Sequence, residues 1–446
     1  MSLDLRLAWL LTRGSDRREW WRALLTAVGA GLATGFGLAA VAVAALRGHH
    51  SIMLASGLLN EPGERAGVVL TLLMLLVPVL GFLGQCARIG AVHRDRRLAA
   101  LRLAGAAPGQ VRRIAALEAG LACLAGSAVV TVFSVLFMLQ VWQGASALMW
   151  AGFAVVAVAA PVLGVLVSVL ALRHVVTEPL GRVQRVRQRP GKGLLPAFLV
   201  AALVVLIAGV FLWSASFRHF PSAPVLAFAV VALTGMGAVG LSGATARRTG
   251  RLLADRTGSP AVLIAAERLR DDPWTAARTH AAVLLVTVVG TGFVGVRQVL
   301  LDDLHRTGPD HLAMNMSFYT TGVNLTGVAV LVALAITLSG LAVGTAEALA
   351  TRRRGLAAQV AAGVPASVLV RALLLETALP LAPAVVLAGA GGMAIGAGYA
   401  RLTEGGAVPL APLLVPVAVY AACVLAAATS LPLLRRSVRP AELRYA

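Results

Sequence analysis

The sequence predicts an all-α polytopic membrane protein of about ten transmembrane helices, set out as two parallel four-span repeats joined by two linking helices. Three observations predict it. The 446 residues are 59% hydrophobic and only 13% charged, where a water-soluble chain carries about a quarter charged residues. Long runs are continuously apolar, without the alternation that a membrane barrel requires. Finally, two arginine-rich stretches match each other at a shift of 258 positions.

The spans are read in order. Residues 67–87, GVVLTLLMLLVPVLGFLGQCA, carry no charge, and crossing a bilayer core takes roughly 20 helical residues. Comparable runs occupy about 23–46, 115–141, 149–172, 194–213, 224–246, 279–299, 323–348, 372–400 and 410–434. The first run is too long and too late for a cleaved signal peptide, and no small-residue cleavage site follows it.

Each half opens with an amphipathic lead into its first span, at 4–31 and at 259–285. Leu5–Thr12 reads either as a helix lying in the interface or as an extension of the first span. Each half closes on arginine and proline, LRHVVTEP at 172–179 and LRRSVRP at 434–440. The halves therefore cover 1–190 and 255–446, with the linking spans in 191–254. An even number of linking spans returns the chain to the same side, so the repeats are parallel and related by an axis along the membrane normal.

The formal charge of +20 could suggest a nucleic-acid binder, so its placement decides the matter. With the amino terminus inside, 33 of the 39 basic residues face the cytoplasm, and the outer side is left electrically neutral. This is the positive-inside asymmetry, and it reads as topology and as affinity for anionic lipid headgroups. No basic motif interleaved with aromatics supports nucleic-acid binding. Trp9, Trp20, Trp21 and Trp274 fall near the inner interface, where an indole is stable at headgroup level. Cys86, Cys123 and Cys423 read as small buried hydrophobes, and the adjoining His49 and His50 read as loop surface. Gly31-x-x-x-Gly35 and Gly392-x-x-x-Gly396 let helix backbones approach closely.

Residues 94–120 read RDRRLAALRLAGAAPGQVRRIAALEAG, and residues 352–378 read RRRGLAAQVAAGVPASVLVRALLLETA. Arg96 falls on Arg354, Leu98 on Leu356, Gly105 on Gly363, Arg113 on Arg371 and Glu118 on Glu376. Leu98, Leu101 and Arg102 recur at helical spacing, giving a short helix with one apolar face. Gly105 permits a turn and Pro108 a fresh helical start. Such a hairpin either lies passively in the interface, snorkelling its arginines, or docks a cytoplasmic partner. Its occurrence twice, in parallel halves, points to a symmetric partner. Glu118 and Glu376 sit just inside the following spans, where a carboxylate is costly unless paired; Arg113 and Arg371 are the nearby candidates.

The two connectors, the arginine-rich leads and the terminal LRRSVRPAELRYA resemble the FtsX-like ABC-transporter permeases, the superfamily of macrolide exporters, lipoprotein-releasing permeases and cell-division FtsX. The ten-span, two-half layout is most similar to the bacitracin-resistance-type permeases. The resemblance implies that each connector is a coupling helix seated on an ATP-binding subunit. Carried across, Arg96, Arg97, Leu98, Leu101, Arg102 and Gly105 form the first contact, and Arg353, Arg354, Leu356, Gln359 and Gly363 the second. It implies a bacterial inner or plasma membrane, cytoplasmic termini, and a sensor kinase as a further partner class. The chain departs from the family in its outer loops. Those at 47–66 and 300–322 hold about twenty residues each, too few to bury a core.

The chain carries no Walker A motif of its own. Its single lysine, Lys192, follows Gly191, but Val186 stands where a P-loop needs its first glycine, and Gly193 where it needs Ser or Thr. If ATP powers the protein, as the resemblance implies, ATP and magnesium belong to a partner subunit, two copies per permease to match two connectors. No HExxH, GxSxG or paired intramembrane aspartates indicate an enzyme. The expected function is export or extraction of an amphipathic substrate, a lipid, peptide or antibiotic. The alternative is a mechanotransmission or sensory protein that relays ATPase-driven motion without moving cargo.

Overall fold

The computed structural model describes residues 17–46, 59–60, 65, 68–69, 71–73, 75–86, 105, 107–141, 146–176, 223–308, 312, 314–401 and 408–432. Every element among them is helical: α1 (Arg17–Ala44), α2 (Leu76–Cys86), α3 (Pro108–Val141), α4 (Ala147–Val176), α5 (Ala223–Ala254), α6 (Pro260–Asp271), α7 (Pro273–Thr307), α8 (Met316–Thr351), α9 (Arg353–Ala361), α10 (Ala366–Ala400), a 3-10 turn (Ala411–Leu413) and α11 (Leu414–Ala428). Seven helical stretches are long and apolar enough to cross a membrane: Ala23–Ala44, Leu117–Val141, Ala147–Leu166, Thr279–Thr307, Met316–Thr351, Ala366–Ala400 and Ala411–Ala428. The chain is a multi-pass membrane protein by length and composition. The expected interfacial helix at Leu5–Thr12, the span at 194–213, and Arg96, Arg97, Leu98, Leu101 and Arg102 lie outside the described residues.

The chain divides into two compact units at Arg187, with Ala335–Glu347 of α8 counted in the first. In the first unit α1 is central, packing on α2, α3 and α4. Gly126 explains how closely α1 and α3 cross: a Cβ there would overlap the Ala27 carbonyl oxygen. Thr34 Oγ1 meets Ser127 Oγ at 2.8 Å across the same crossing. Leu38 and Ala42 pack on Met149 and Phe153 to close α1 against α4. Also within this unit, Phe82 of α2 lies against Gly340 of α8, where an added Cβ would sit 3.7 Å from the Phe82 Cα. These two residues are themselves 258 positions apart.

In the second unit α7 and α10 form the central pair, α5 packs on both, and α11 packs along α10 and against α7. The glycines of Gly392-x-x-x-Gly396 serve this crossing: the Gly396 Cα lies 2.8 Å from where a Gly295 Cβ would stand. Helix α5 belongs to this unit, and the amphipathic α6 packs on α5 and α10. α6 buries Ala261, Ala265, Ala266 and Leu269. The loop expected at 300–322 is shorter than its sequence suggests. α7 runs on to Thr307 and α8 begins at Met316, so residues 300–307 and 316–322 are helical.

Candidate functional site

The connector between α8 and α10 is built by local rules. Arg352 ends α8 and begins α9 with φ −94° and ψ 7°, and the Leu356 amide donates to its carbonyl at 3.0 Å. Arginine, leucine, alanine and glutamine then favour helix as far as Ala361. The end is a Schellman motif: the Gly363 amide donates to Val360 O at 2.9 Å, and Val364 N to Gln359 O at 3.0 Å. Gly363 adopts φ +92°, the left-handed conformation that motif requires. Pro365 caps α10, and the Val368 amide returns to the Pro365 carbonyl at 3.0 Å.

The same sequence of events recurs where the first connector ends. Gly105 has φ +96°, Gln110 N donates to Ala107 O at 3.0 Å, and α3 starts at Pro108. Each of these residues stands 258 positions before its counterpart in the second connector. A Cβ on Gly105 or Gly363 would meet nothing within 4 Å, so both glycines serve backbone conformation and not close packing.

α9 has two unlike sides. Leu356, 2% exposed, joins Leu349, Leu369 and Leu373 in a core that Ile264, Val360, Val364, Val370 and Leu431 extend. The sequence assigned Leu356 to a partner contact; its side chain instead anchors α9 to α6, α8, α10 and the chain beyond α11. The outer side shows Gly355, Ala358, Ala361, Ala362 and Gly363, all exposed and small. Arg353 Nε donates to Ala350 O at 3.2 Å, satisfying a carbonyl in the last turn of α8. Arg354 lies on the helix. Gln359 has its side-chain oxygen buried without a hydrogen-bond partner among the described residues.

Glu376 lies on α10 above this base. Arg352 Nη1 donates to its Oε1 at 2.7 Å and its Oε2 at 3.0 Å, and Arg268 Nη1 reaches Oε2 at 3.4 Å. Arg371, the partner suggested by proximity in sequence, is exposed and takes no part. Five residues along a helix turn a side chain through about 140°, so Arg371 and Glu376 diverge. Sequence spacing marked Glu376 as needing a cation but missed which one. Arg268 sits in the amphipathic lead and Arg352 at a helix junction, and only tertiary packing joins them. Glu118 is buried on α3, at the position matching Glu376; the Arg113 side chain lies outside the described residues.

Among the indoles, Trp20 and Trp21 are exposed near the start of α1, and Trp274 is exposed near the start of α7 while also facing Gly243. Cys86, Cys123 and Cys423 are free and buried. No group of acidic, histidine and cysteine residues able to hold a metal occurs among the described residues. No protein-family model and no curated protein matches the chain.

Proposed function

We propose that this chain is the permease subunit of an FtsX-like ABC transporter, driven by a separate ATP-binding subunit present in two copies. The observation that carries this reading is α9, a short helix rooted on one side by Leu356 and bare on the other, set between two membrane-length helices. A partner that seats on the bare side can push α8 and α10 without disturbing the helix itself. The matched glycine turn at Gly105 supports a second such lever, formed by Arg96, Arg97, Leu98, Leu101 and Arg102. In the second lever, Arg353, Arg354, Gln359 and Gly363 flank the contact, while Leu356 transmits the movement inward. Phe82 against Gly340 supports a parallel repeat, because paired residues meet their own counterparts near a two-fold axis.

ATP and magnesium reside on the partner, and ten spans in two four-span repeats complete the permease. Movement of the levers rocks the spans and exports or extracts an amphipathic molecule, a lipid, a peptide or an antibiotic, across a bacterial cell membrane. The few residues between the end of α7 at Thr307 and the start of α8 at Met316 support a substrate handled among the spans, since so short a segment cannot bury the core of a receiving domain.

The test is reconstitution with the candidate ATPase in proteoliposomes. The reading expects amphiphiles to stimulate ATP hydrolysis and to cross the bilayer. Stimulation by a partner protein such as a sensor kinase, with no flux of any ligand, would assign the chain to signalling instead. Failure of any ABC-type ATPase to co-purify would remove the proposal.

A further inference from the structure

Two guanidinium groups converge on one carboxylate at the base of the second unit. Arg352 Nη1 spans both oxygens of Glu376, and Arg268 Nη1 touches one of them. The side chains are 35%, 20% and 17% exposed for Arg352, Glu376 and Arg268, so the cluster is partly sheltered yet open on one side. One carboxylate neutralises one guanidinium, which leaves a full positive charge. Each arginine also has five N–H donors in a planar fork. Among the described residues only the Nη1 of each is engaged, leaving both Nε and both Nη2 groups for another acceptor. The neighbouring Arg270 is already paired with Glu267 at 3.3 Å.

The cluster lies at a membrane boundary. Arg352 is the first residue after the apolar stretch Met316–Thr351, and Arg268 belongs to the amphipathic helix that precedes the stretch at Thr279. Leu263, on the same helix as Arg268, and Trp274, at the start of α7, are exposed apolar residues of the two helices that lead into the membrane. An acceptor with several oxygens, a negative charge and an attached apolar body fits this combination.

We propose that Arg268 and Arg352 bind the phosphate of an anionic phospholipid beside Glu376. The lipid would complete the donors that Glu376 leaves free and hold α6 to the base of α8. Bidentate guanidinium–phosphate pairing supplies the specificity. This inference rests on the membrane-spanning reading and is independent of any ATPase.

The test uses the full chain in detergent, titrated with phosphatidylglycerol, phosphatidylcholine or inorganic phosphate, and followed by native mass spectrometry and thermal unfolding. Phosphatidylglycerol should bind and raise the unfolding temperature more than phosphatidylcholine does. Arg268→Gln should weaken phosphatidylglycerol about fivefold, the weight of one arginine at an anionic surface, while leaving Glu376 its Arg352 partner. Glu376→Gln should strengthen it, because the competing carboxylate charge is gone. A structural ion pair without a lipid gives another pattern: both substitutions lower stability and neither changes lipid affinity. That pattern overturns the proposal. Inorganic phosphate reproducing the whole effect overturns the lipid assignment. Loss of ATPase co-purification with lipid binding intact would sink the transporter reading and leave this one standing.

Discussion

Gly105 and Gly363 turn the chain through the same left-handed conformation, φ +96° and +92°, each three residues before a membrane-length helix begins. The conformation costs a residue with a Cβ about 1–2 kcal/mol. Because neither position is crowded, that backbone term stands alone. Gly363→Ala should therefore lower stability by about 1–2 kcal/mol, and Gly363→Asn by less. Gly355 lies inside α9 with equally open surroundings and no positive φ. There Gly→Ala should stabilise by about 0.5–1 kcal/mol. Denaturation of the three variants in one detergent measures both signs, and a destabilised Gly355→Ala would contradict the account.

On the proposed reading, α9 separates folding from docking by side. Leu356→Ala opens a cavity in the Leu349, Leu369 and Leu373 core and should cost about 2–5 kcal/mol. Ala358→Glu changes an exposed position, should leave unfolding within about 0.5 kcal/mol of wild type, and should abolish ATPase co-purification. Parallel thermal unfolding and pull-down assays distinguish the two. Intact pull-down with Ala358→Glu would move the docking face elsewhere.

These sides mark the limit of what sequence could tell. Seven of the ten expected spans are membrane-length helices, legible because apolar length leaves a chain few alternatives in a bilayer, and the connector's end was legible because Gly105, with Gly363 as its match, reads as a helix C-cap. The direction of Leu356 was not legible. An apolar residue on a short amphipathic helix serves its own core or a partner equally well until the packing of Leu349 and Leu369 is known. The partner of Glu376 was hidden for the same reason, since Arg268 is 108 residues away and no local spacing announces it.

The Arg352–Glu376 pair should be coupled in energy. All three side chains of the cluster retain some solvent, which screens the charges, so a double-mutant cycle with Arg352→Gln and Glu376→Gln should return about 1 kcal/mol. Arg371→Gln combined with Glu376→Gln should show no coupling. A larger value for Arg371 would mean that the helix-local pair, and not the tertiary one, exists in the membrane.

Crossings set by glycine should tolerate no side chain. At Gly126 a methyl group would overlap the Ala27 carbonyl, and at Gly392 it would stand 2.5 Å from the Thr291 Cβ. Backbone cannot retreat as a flexible side chain can, so Gly126→Ala and Gly392→Ala should each cost about 1–3 kcal/mol or more. Gly258→Ala, with nothing within 4 Å, is the matched control and should be nearly silent. Unfolding temperatures of the purified variants provide the readout, with equal effects at all three sites counting against the crossings.

The parallel-repeat reading makes the side of each connector measurable. Ala107 precedes α3 and Ala358 lies on α9, both exposed, whereas Met314 and Leu410 are exposed at the opposite ends of the second unit's long helices. The three native cysteines are buried, so each single substitution to cysteine can be labelled with a membrane-impermeant maleimide against a quiet background. Two repeats of the same orientation place positions 107 and 358 on one side, because four spans plus an even number of linking spans restore the starting face. An odd number of spans between them would invert one repeat and send the two labels apart. The positive-inside distribution further predicts both in the cytoplasm, with 314 and 410 outside. Intact cells should accordingly label Met314→Cys and Leu410→Cys, and only broken cells Ala107→Cys and Ala358→Cys. Labelling of 107 and 358 from opposite faces would end the claim of two parallel levers, whatever ATPase the chain proved to bind.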